Sequence, residues 1–354
     1  MLRKTIASLF LASIVSAAHA EPKVVVSIKP IHSIVSSIMK GVGQPTLLME
    51  GTQSPHTARL KPGQAQSLQD AGLVVWVGPE LEQFLAKPIS SITNNATVIE
   101  LGKLVEEHSE NHGGEHGHGD DENHKDEHEH DKEAEHHDEH DHDKEAKHED
   151  EHDHDKHAKH DDEHDHDKDT KHEDEHGHEG HDHADVHVWL DPESMHDVVQ
   201  PIAKQLAKVD PENKQKYEKN AKNLMAEIDA LNDSIKEKLA NIRKKPFLAY
   251  HDAYKPFVSH YGLNNPASIA VDEDRKPSAA HIRKLQEMVT AQKITCIFSE
   301  PQFDGDWLSS IWPTPPMKYA VLDPLGSSIP AGTAQYSTMI NALADSLVGC
   351  LSDG

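Results

Sequence analysis

The sequence predicts an α/β protein of two lobes, each a four-stranded, mostly parallel sheet flanked by helices, joined by one long rigid α-helix. Short apolar runs alternate with helical patterns in the first part of the chain, and the same alternation returns after residue 246. A long helical stripe lies between the two parts. The predicted organisation is a signal peptide (1–20), an N-terminal lobe (21–107 plus 184–209), an inserted loop (108–183), a linking helix (210–245) and a C-terminal lobe (246–354).

The first twenty residues have the pattern of a secretory signal. Arg3 and Lys4 precede an apolar stretch at 6–15, and Ala18-His19-Ala20 is typical of a cleavage site. The alternative, a membrane anchor, needs about 20 apolar residues. Because no cysteine lies near the cleavage point, a lipid anchor is not expected. We expect a mature chain that begins at Glu21, outside the cytoplasm and without a membrane anchor of its own.

The N-terminal lobe is predicted from strands that alternate with helices. Apolar runs at 24–28, 46–49, 73–77 and 97–101 indicate strands. Helical spacing follows the first strand as far as Met39, and further helical segments are expected around 62–70 and 79–87. This βαβα order is typical of a parallel sheet.

The insert at 108–183 contains 23 of the 31 histidines and neither Val, Leu or Ile nor Phe, Tyr or Trp. A 12-residue repeat places Asp-Glu-His at 126, 138, 150, 162 and 174. With 32 acidic residues and 8 lysines, the insert carries −24 of the net charge of −27. Such a segment cannot bury a core, so a solvated, disordered loop is expected. Charge runs are usually only solvated segments, but that does not account for the histidines, which favour metal attraction.

The remainder of the chain is nearly neutral, which argues against nucleic-acid binding, because that needs a basic face. Structure is expected to resume with a strand at Val186–Leu190 and a helix capped by Asp191. Asp210-Pro211-Glu212 then opens the linking helix, whose apolar residues recur every three or four positions. A helix of about 34 residues is about 50 Å long and should pack along both lobes. A coiled-coil dimer arm is the alternative.

The C-terminal lobe is predicted from strands at 247–250, 267–271, 294–299 and 319–322, with helices near 255–261, 278–291 and 333–348. Cys296 and Cys350 are the only cysteines. In an exported protein such a pair indicates one disulfide, which closes a loop of about 54 residues and is worth roughly 3–4 kcal/mol. Two free buried thiols are the alternative.

Four candidate metal ligands are placed by the strand pattern. His56 lies in the loop after the strand that ends at Met49, and His187 lies on the strand that follows the insert. His251 and Asp323 come directly after strands of the C-terminal lobe. Ligands of open α/β sheets bind beyond the carboxyl ends of strands, so a site between the lobes is expected. Three histidines and one oxygen suit zinc, although a single histidine after a strand is more often a hydrogen-bonded loop residue.

Several motifs together resemble those of the metal-binding receptors of bacterial ABC importers, and most of all the zinc-uptake receptors among them. The resemblance covers about Val24 to Cys350 and is carried by Gly51-Thr52-Gln53-Ser54-Pro55-His56, residues 73–80, His187-Val188-Trp189-Leu190-Asp191-Pro192, His251-Asp252-Ala253-Tyr254, residues 299–303 and Leu322-Asp323-Pro324-Leu325-Gly326. The zinc-uptake members also carry a His/Asp/Glu loop in this place, and the cysteine pair is disulfide-bonded in similar proteins.

The resemblance implies that His56, His187 and His251 are zinc ligands. Some members have Glu before the first histidine, where this chain has Pro55, so either Asp323 or a water completes the shell. Glu300, at the end of a predicted strand, is a candidate to support a ligand.

The resemblance also implies a periplasmic receptor, monomeric and not an enzyme, that delivers Zn²⁺ as its transported ligand to a permease and its ATPase. The insert would attract or sense zinc. Three imidazoles favour zinc over manganese, which prefers carboxylates. A receptor for manganese or another divalent metal stays open, as do a zinc-dependent hydrolase and a protein for extracellular metal buffering or adhesion.

Overall fold

The protein is described here from a computed structural model that covers residues 21–93, 95–112, 185–270, 276–303, 307–312 and 317–352. The predicted signal peptide and residues 113–184, which hold nearly all of the insert, lie outside the described residues. None of the helices within the described ranges is both long enough and apolar enough to cross a membrane.

The N-terminal lobe is built on a parallel sheet in the order β2-β1-β3-β4, as predicted. Its strands are β1 Val24–Val26, β2 Thr46–Leu47, β3 Leu73–Trp76 and β4 Thr97–Glu100. Every residue of β1 and β3 is buried, because helices cover both faces of these central strands. The covering helices are α1 Lys29–Ile38, α2 Pro62–Gln69, α3 Gln83–Ile92, α4 Leu101–His112 and α5 Pro192–Val209.

Two helices of this lobe differ from the sequence-based expectation. α3 begins at Gln83, because the buried Glu82 carboxylate accepts hydrogen bonds from the amides of Val77 (2.8 Å) and Gly78 (3.3 Å) and holds the preceding residues in a turn. α4 was not predicted, and it continues to His112, five residues into the expected insert. Leu104 and Val105 of α4 pack against the core, which explains why a helix forms there.

The C-terminal lobe repeats this arrangement in the order β6-β5-β7-β8, again all parallel. Its strands are β5 Leu248–Ala249, β6 Ala267–Ser268, β7 Cys296–Ser299 and β8 Lys318–Val321. The predicted disulfide is confirmed, and Cys296–Cys350 joins β7 to the last helix. A linking helix, α6 Lys214–Leu239, precedes this lobe. The helices of the lobe are α7 Lys255–Tyr261, α8 Ala279–Gln292, α9 Leu308–Ile311 and α10 Gln335–Leu351.

The linking helix, α6, spans Lys214–Leu239 and is shorter than the predicted 210–245. A separate 3₁₀ turn at Pro211–Asn213 precedes it, and turns at 240–244 follow it. Its 26 residues give a length of about 39 Å. The buried positions recur at the predicted spacing: Tyr217, Ala221, Leu224, Ile228, Leu231, Ile235 and Leu239. This stripe packs against α1 and α5 of the first lobe and α10 of the second, so the coiled-coil alternative is wrong.

Side chains also join the two lobes directly. Lys29 Nζ donates to Ser327 O at 2.6 Å, and Trp189 Nε1 donates to Pro324 O at 2.7 Å. The largest cluster of buried side chains runs from β1 through α6 to α10, so the two lobes share one core. A shared core and a helical link leave little room for wide hinge motion.

The predicted strand at Val186–Leu190 is wrong. Val188–Leu190 form a 3₁₀ turn, and all three side chains are buried. The alternating apolar pattern arises because this segment lies between the two lobes, where the Trp189 indole hydrogen-bonds to Pro324. His187 therefore precedes a buried turn and does not lie on a strand.

Candidate metal centre

Three of the four predicted ligands meet at one point. Each of His56, His187 and His251 offers a ring nitrogen, and these nitrogens all lie within 4.8 Å of one another. The Nε2 atoms of His56 and His187 are 3.2 Å apart. In a tetrahedral zinc shell with Zn–N bonds of about 2.0–2.1 Å, ligand nitrogens stand roughly 3.3 Å apart. The His56–His187 separation therefore fits one shared ion, and the described residues contain no other such cluster of three or more His, Cys, Asp or Glu.

The fold brings the three imidazoles together from separate segments. His56 follows β2 and its amide donates to Ser54 Oγ at 3.3 Å. His251 comes two residues after β5, so it lies beyond the carboxyl end of a central strand. His187 is held by the segment that enters the 3₁₀ turn, and its amide donates to Asp185 Oδ1 at 2.9 Å. The first lobe thus contributes His56 and His187, and the second lobe contributes His251.

Two carboxylates orient two of the rings. Glu300 Oε1 lies 2.7 Å from His251 Nδ1, and Asp185 Oδ1 lies 2.9 Å from His187 Nδ1. A neutral imidazole that donates its Nδ1–H to a carboxylate presents the lone pair of Nε2, which is the arrangement of carboxylate–histidine–zinc sites. Glu300 is fully buried, and Asp185 is largely covered. Both carboxylates therefore fix the orientation of the rings.

The surroundings of His56 favour its neutral form. Burial is the main reason that the pKa of His56 falls to about 3, and the neighbouring His187 and His251 lower it further, against an opposing effect of Asp185. A metal ligand must be deprotonated, so a proton competes for His56 only in strong acid. His56 should therefore lose its ligand form only well below the pKa of a free histidine, about 6.5.

Asp323 lies outside the group of three nitrogens. Its carboxylate accepts hydrogen bonds from the Ser327 amide (2.6 Å), the Leu325 amide (3.2 Å), Ser327 Oγ (3.2 Å) and Gln302 Nε2 (2.8 Å). These donors hold the loop after β8 in a tight turn that passes through Gly326 with φ of +58°. Asp323 is thus engaged by its own loop.

The triad stands between an open cavity and an apolar wall. The cavity, of about 520 Å³, is also lined by Asp252, Ser268 and His281. On the other side the rings meet Trp189 and Phe303, with centroid distances of 5.3 Å from His187 to Trp189 and 5.5 Å from His251 to Phe303. An ion can therefore reach the nitrogens from the cavity.

Asp185 was missed by the sequence analysis. It stands two residues before His187, inside the predicted N-terminal lobe, but no role was assigned to it. The spacing Asp-x-His, which lets one carboxylate oxygen reach both the amide and the Nδ1 of the histidine, is the signal that points to it.

Loss of the Glu300 carboxylate is expected to weaken the metal site. Replacing Glu300 with alanine should lower zinc affinity about 10–100-fold, because the outer partner of a ligand histidine contributes that much. Glu300→Gln keeps an acceptor without the charge and should lose less. Competition with a chelating indicator measures both. Glu82→Ala removes a fully buried glutamate whose carboxylate accepts hydrogen bonds from backbone amides of the first lobe and interacts with Ser27. Glu82 is not one of the three converging residues, so the change should leave affinity unchanged. Wild-type affinity in a folded Glu300→Ala protein would contradict the assigned role.

Known proteins share both sequence and fold with this chain. The profile of the family described as "ZnuA: Zinc-uptake complex component A periplasmic" matches residues 24–350. The high-affinity zinc uptake system protein ZnuA of Brucella suis is 39% identical over 361 residues, which cover 99% of this chain and 99% of that protein. The protein of the same name from Haemophilus influenzae is 39% identical over 335 residues, 94% of each chain.

Solved structures share the two-lobed fold. A crystal structure of ZnuA superposes with a TM-score of 0.65 and 22% identity, and the match covers 94% of this chain and 100% of that one. The periplasmic zinc-binding protein TroA from Treponema pallidum gives a TM-score of 0.66 at 17% identity, over 94% and 99% of the two chains. The family profile spans nearly all of the sequence, and the curated relatives match it from end to end. The chain therefore belongs to the ZnuA family of periplasmic zinc-uptake components.

Proposed function

We propose that this chain is a periplasmic zinc receptor that captures Zn²⁺ between its lobes and delivers it to a membrane permease and its ATPase. The observation that carries the proposal is the convergence of His56, His187 and His251 on one point, with Asp185 and Glu300 behind two of the rings. Three neutral imidazoles suit zinc better than manganese, whose preference is for carboxylates and water. The names of the curated relatives, which are zinc uptake proteins, support the same metal.

A water molecule is proposed for the fourth position on the ion. Asp323, the other candidate, would have to give up hydrogen bonds from Ser327, Leu325 and Gln302 to reach it. The cavity of about 520 Å³ beside the triad gives water access to the ion. Three protein ligands and one exchangeable water suit a receptor that must also release its ion.

A receptor role is favoured over a zinc hydrolase. Hydrolysis at a three-histidine site needs a general base for the bound water. The two carboxylates that contact the imidazoles, Asp185 and Glu300, are both engaged by ligand rings. We propose that the mature chain begins at Glu21, because Ala18-His19-Ala20 has the pattern of a cleavage site. We also propose that it is a monomer, because the apolar stripe of α6 is buried within its own chain.

The His-rich insert is proposed to collect zinc through many weak sites and to raise its concentration near the cavity. Deleting residues 113–183 keeps α4 and Asp185, and the shortened chain is expected to bind one zinc per molecule in titration calorimetry. The full chain should bind several more with lower affinity. Changing every histidine of 113–183 to glutamine keeps length and acidic charge, and should give the same stoichiometry as the deletion. Equal stoichiometry for the full and shortened chains would contradict this role of the insert, and absence of tight binding by the shortened chain would contradict the receptor function.

A further inference from the structure

His260 makes polar contacts through both ring nitrogens. It lies in the last turn of α7, and its side chain is 14% exposed. Nδ1 stands 3.0 Å from Asp191 Oδ1, and Nε2 stands 2.8 Å from Asn232 Oδ1. Both neighbours are oxygen atoms, and an imidazole carries an N–H on each nitrogen only in its doubly protonated form. With the Asn232 amide in this orientation, the imidazolium cation makes both contacts as hydrogen bonds, whereas a neutral ring makes only one of them.

The partners of His260 belong to the elements that carry the metal ligands. Asp191 is the N-cap of α5, four residues after His187, and its side chain accepts the amides of Glu193 and Ser194. α7 begins four residues after His251. Asn232 lies in α6, the helix that links the lobes. The contact thus joins the His187 segment of the first lobe, the His251 segment of the second lobe and the helix between them.

The charges around His260 favour the protonated form. The hydrogen bond to Asp191 is the main reason that the pKa of His260 is raised; burial opposes it, and the charges of Asp191 and Glu193 add to it. Lys236 of α6 acts in the opposite direction. Glu193 Oε2 lies 3.5 Å from Nδ1, and on its own helix the Tyr261 ring packs edge-on at 4.6 Å. From α10, Tyr336 faces Asp191.

We propose that protonated His260, with Asp191 and Asn232, forms an inter-lobe pin that holds the His187 and His251 segments in the register required for one shared ion, and that the pin loosens when His260 loses its proton. His260 is a positioning residue in this arrangement, since it acts on the ion only through the two ligand segments. The effect on zinc rests on the proposed function, whereas the effect on stability does not.

The sign of the pH dependence follows from the raised pKa. The pin stabilises the folded chain fully below the pKa of an unfolded histidine, about 6.5, and this contribution disappears as the pH rises through the higher folded value. Zinc ligation has the opposite trend, because it needs neutral imidazoles.

Urea unfolding of the metal-free full chain, in the presence of a chelator, tests the pin without reference to zinc. His260→Gln removes the charge and one of the two contacts. Its urea midpoint should fall well below that of the wild type at about pH 6, and the gap should narrow at about pH 9, where the wild type has also lost the cation. A gap that is the same at both pH values would overturn the proposal, because loss of packing alone does not depend on pH.

Two further variants separate the pin from other effects. Asp191→Asn keeps a good helix N-cap and removes the carboxylate, so it should lower the midpoint with the same pH dependence. The double variant with His260→Gln and Asp191→Asn should have the same urea midpoint as Asp191→Asn alone. His196→Gln is the matched control, since His196 pairs with Asp197 and Asp229 without reaching the second lobe. Unchanged midpoints in Asp191→Asn, or additive effects in the double variant, would also overturn the pin.

Zinc affinity is the second readout. His260→Gln is expected to bind zinc a few-fold more weakly than the wild type at about pH 6. This loss is smaller than the loss of about tenfold or more that is expected when a direct partner of a ligand histidine is removed. His196→Gln should bind like the wild type. If His260→Gln showed the pH-dependent loss of stability but bound zinc as tightly as the wild type, the positioning role would be overturned and the pin would stand. Failure of the wild type itself to bind zinc would contradict the receptor function and leave the stability test valid.

Discussion

Replacing His187 with alanine is expected to lower zinc affinity more than about 100-fold, beyond what the loss of a ligand's outer partner costs. Its ring lies 5.3 Å from the rings of both His56 and His251, which are themselves 6.2 Å apart, so it is the central member of the triad. Without it, the two remaining imidazoles come from opposite lobes and leave half of a tetrahedral shell to water. Competition with a chelating indicator, on the chain that lacks residues 113–183, gives the change without interference from the insert.

The control for this prediction is His281→Ala. His281 lines the same cavity as the triad, but its Nε2 lies 3.3 Å from the Ser268 carbonyl and it is not one of the three converging residues. Its loss should leave affinity within a few-fold of the wild type. If His281→Ala were as damaging as His187→Ala, the ion would lie deeper in the cavity, and the triad would not be the site.

Removal of the disulfide should cause a large loss of stability, with little direct effect on the metal site. The Cys296–Cys350 bond closes a loop of 54 residues and ties β7 to α10. Changing both cysteines to alanine is expected to lower the free energy of unfolding by roughly 3–4 kcal/mol, because the unfolded chain regains the entropy of that loop. Both residues are buried, so the substitution also removes packed sulfur atoms.

Urea denaturation with and without a reductant measures this contribution. Reductant should destabilise the wild type by a similar amount and leave the double alanine variant unchanged. The double alanine variant of the chain that lacks residues 113–183 should still bind one zinc per molecule without urea, where it is folded, since neither cysteine lies in the triad. A loss of less than about 1 kcal/mol would show that the bond contributes far less than loop closure predicts.

The architecture could be predicted from sequence because its signals are local. The eight strands appear as short apolar runs, and the parallel order follows from their alternation with helices. The stripe of α6 recurs every three or four residues and so marks a helix buried along one side. His56 and His251 could be placed because each follows such a strand and the edges of parallel strands are where ligands collect.

What the sequence did not indicate depends on contacts between distant segments. Val188–Leu190 alternate like a strand, but their burial comes from packing between the lobes, which no local pattern encodes. Asp185 falls inside the predicted N-terminal lobe, but its role depends on the contact between its carboxylate and His187, which the sequence does not show. Asp323 occupies the expected strand end, yet four donors of its neighbourhood hold it, and these cannot be counted from sequence.

The central claim is that three imidazoles from distant parts of the chain share one zinc ion. Crystals of the chain lacking residues 113–183, grown with zinc and measured on both sides of the zinc absorption edge, test this most directly. We predict one strong anomalous peak about 2.0–2.1 Å from a ring nitrogen of each of His56, His187 and His251. A zinc peak bound elsewhere, or one in contact with only a single member of this trio, would contradict it.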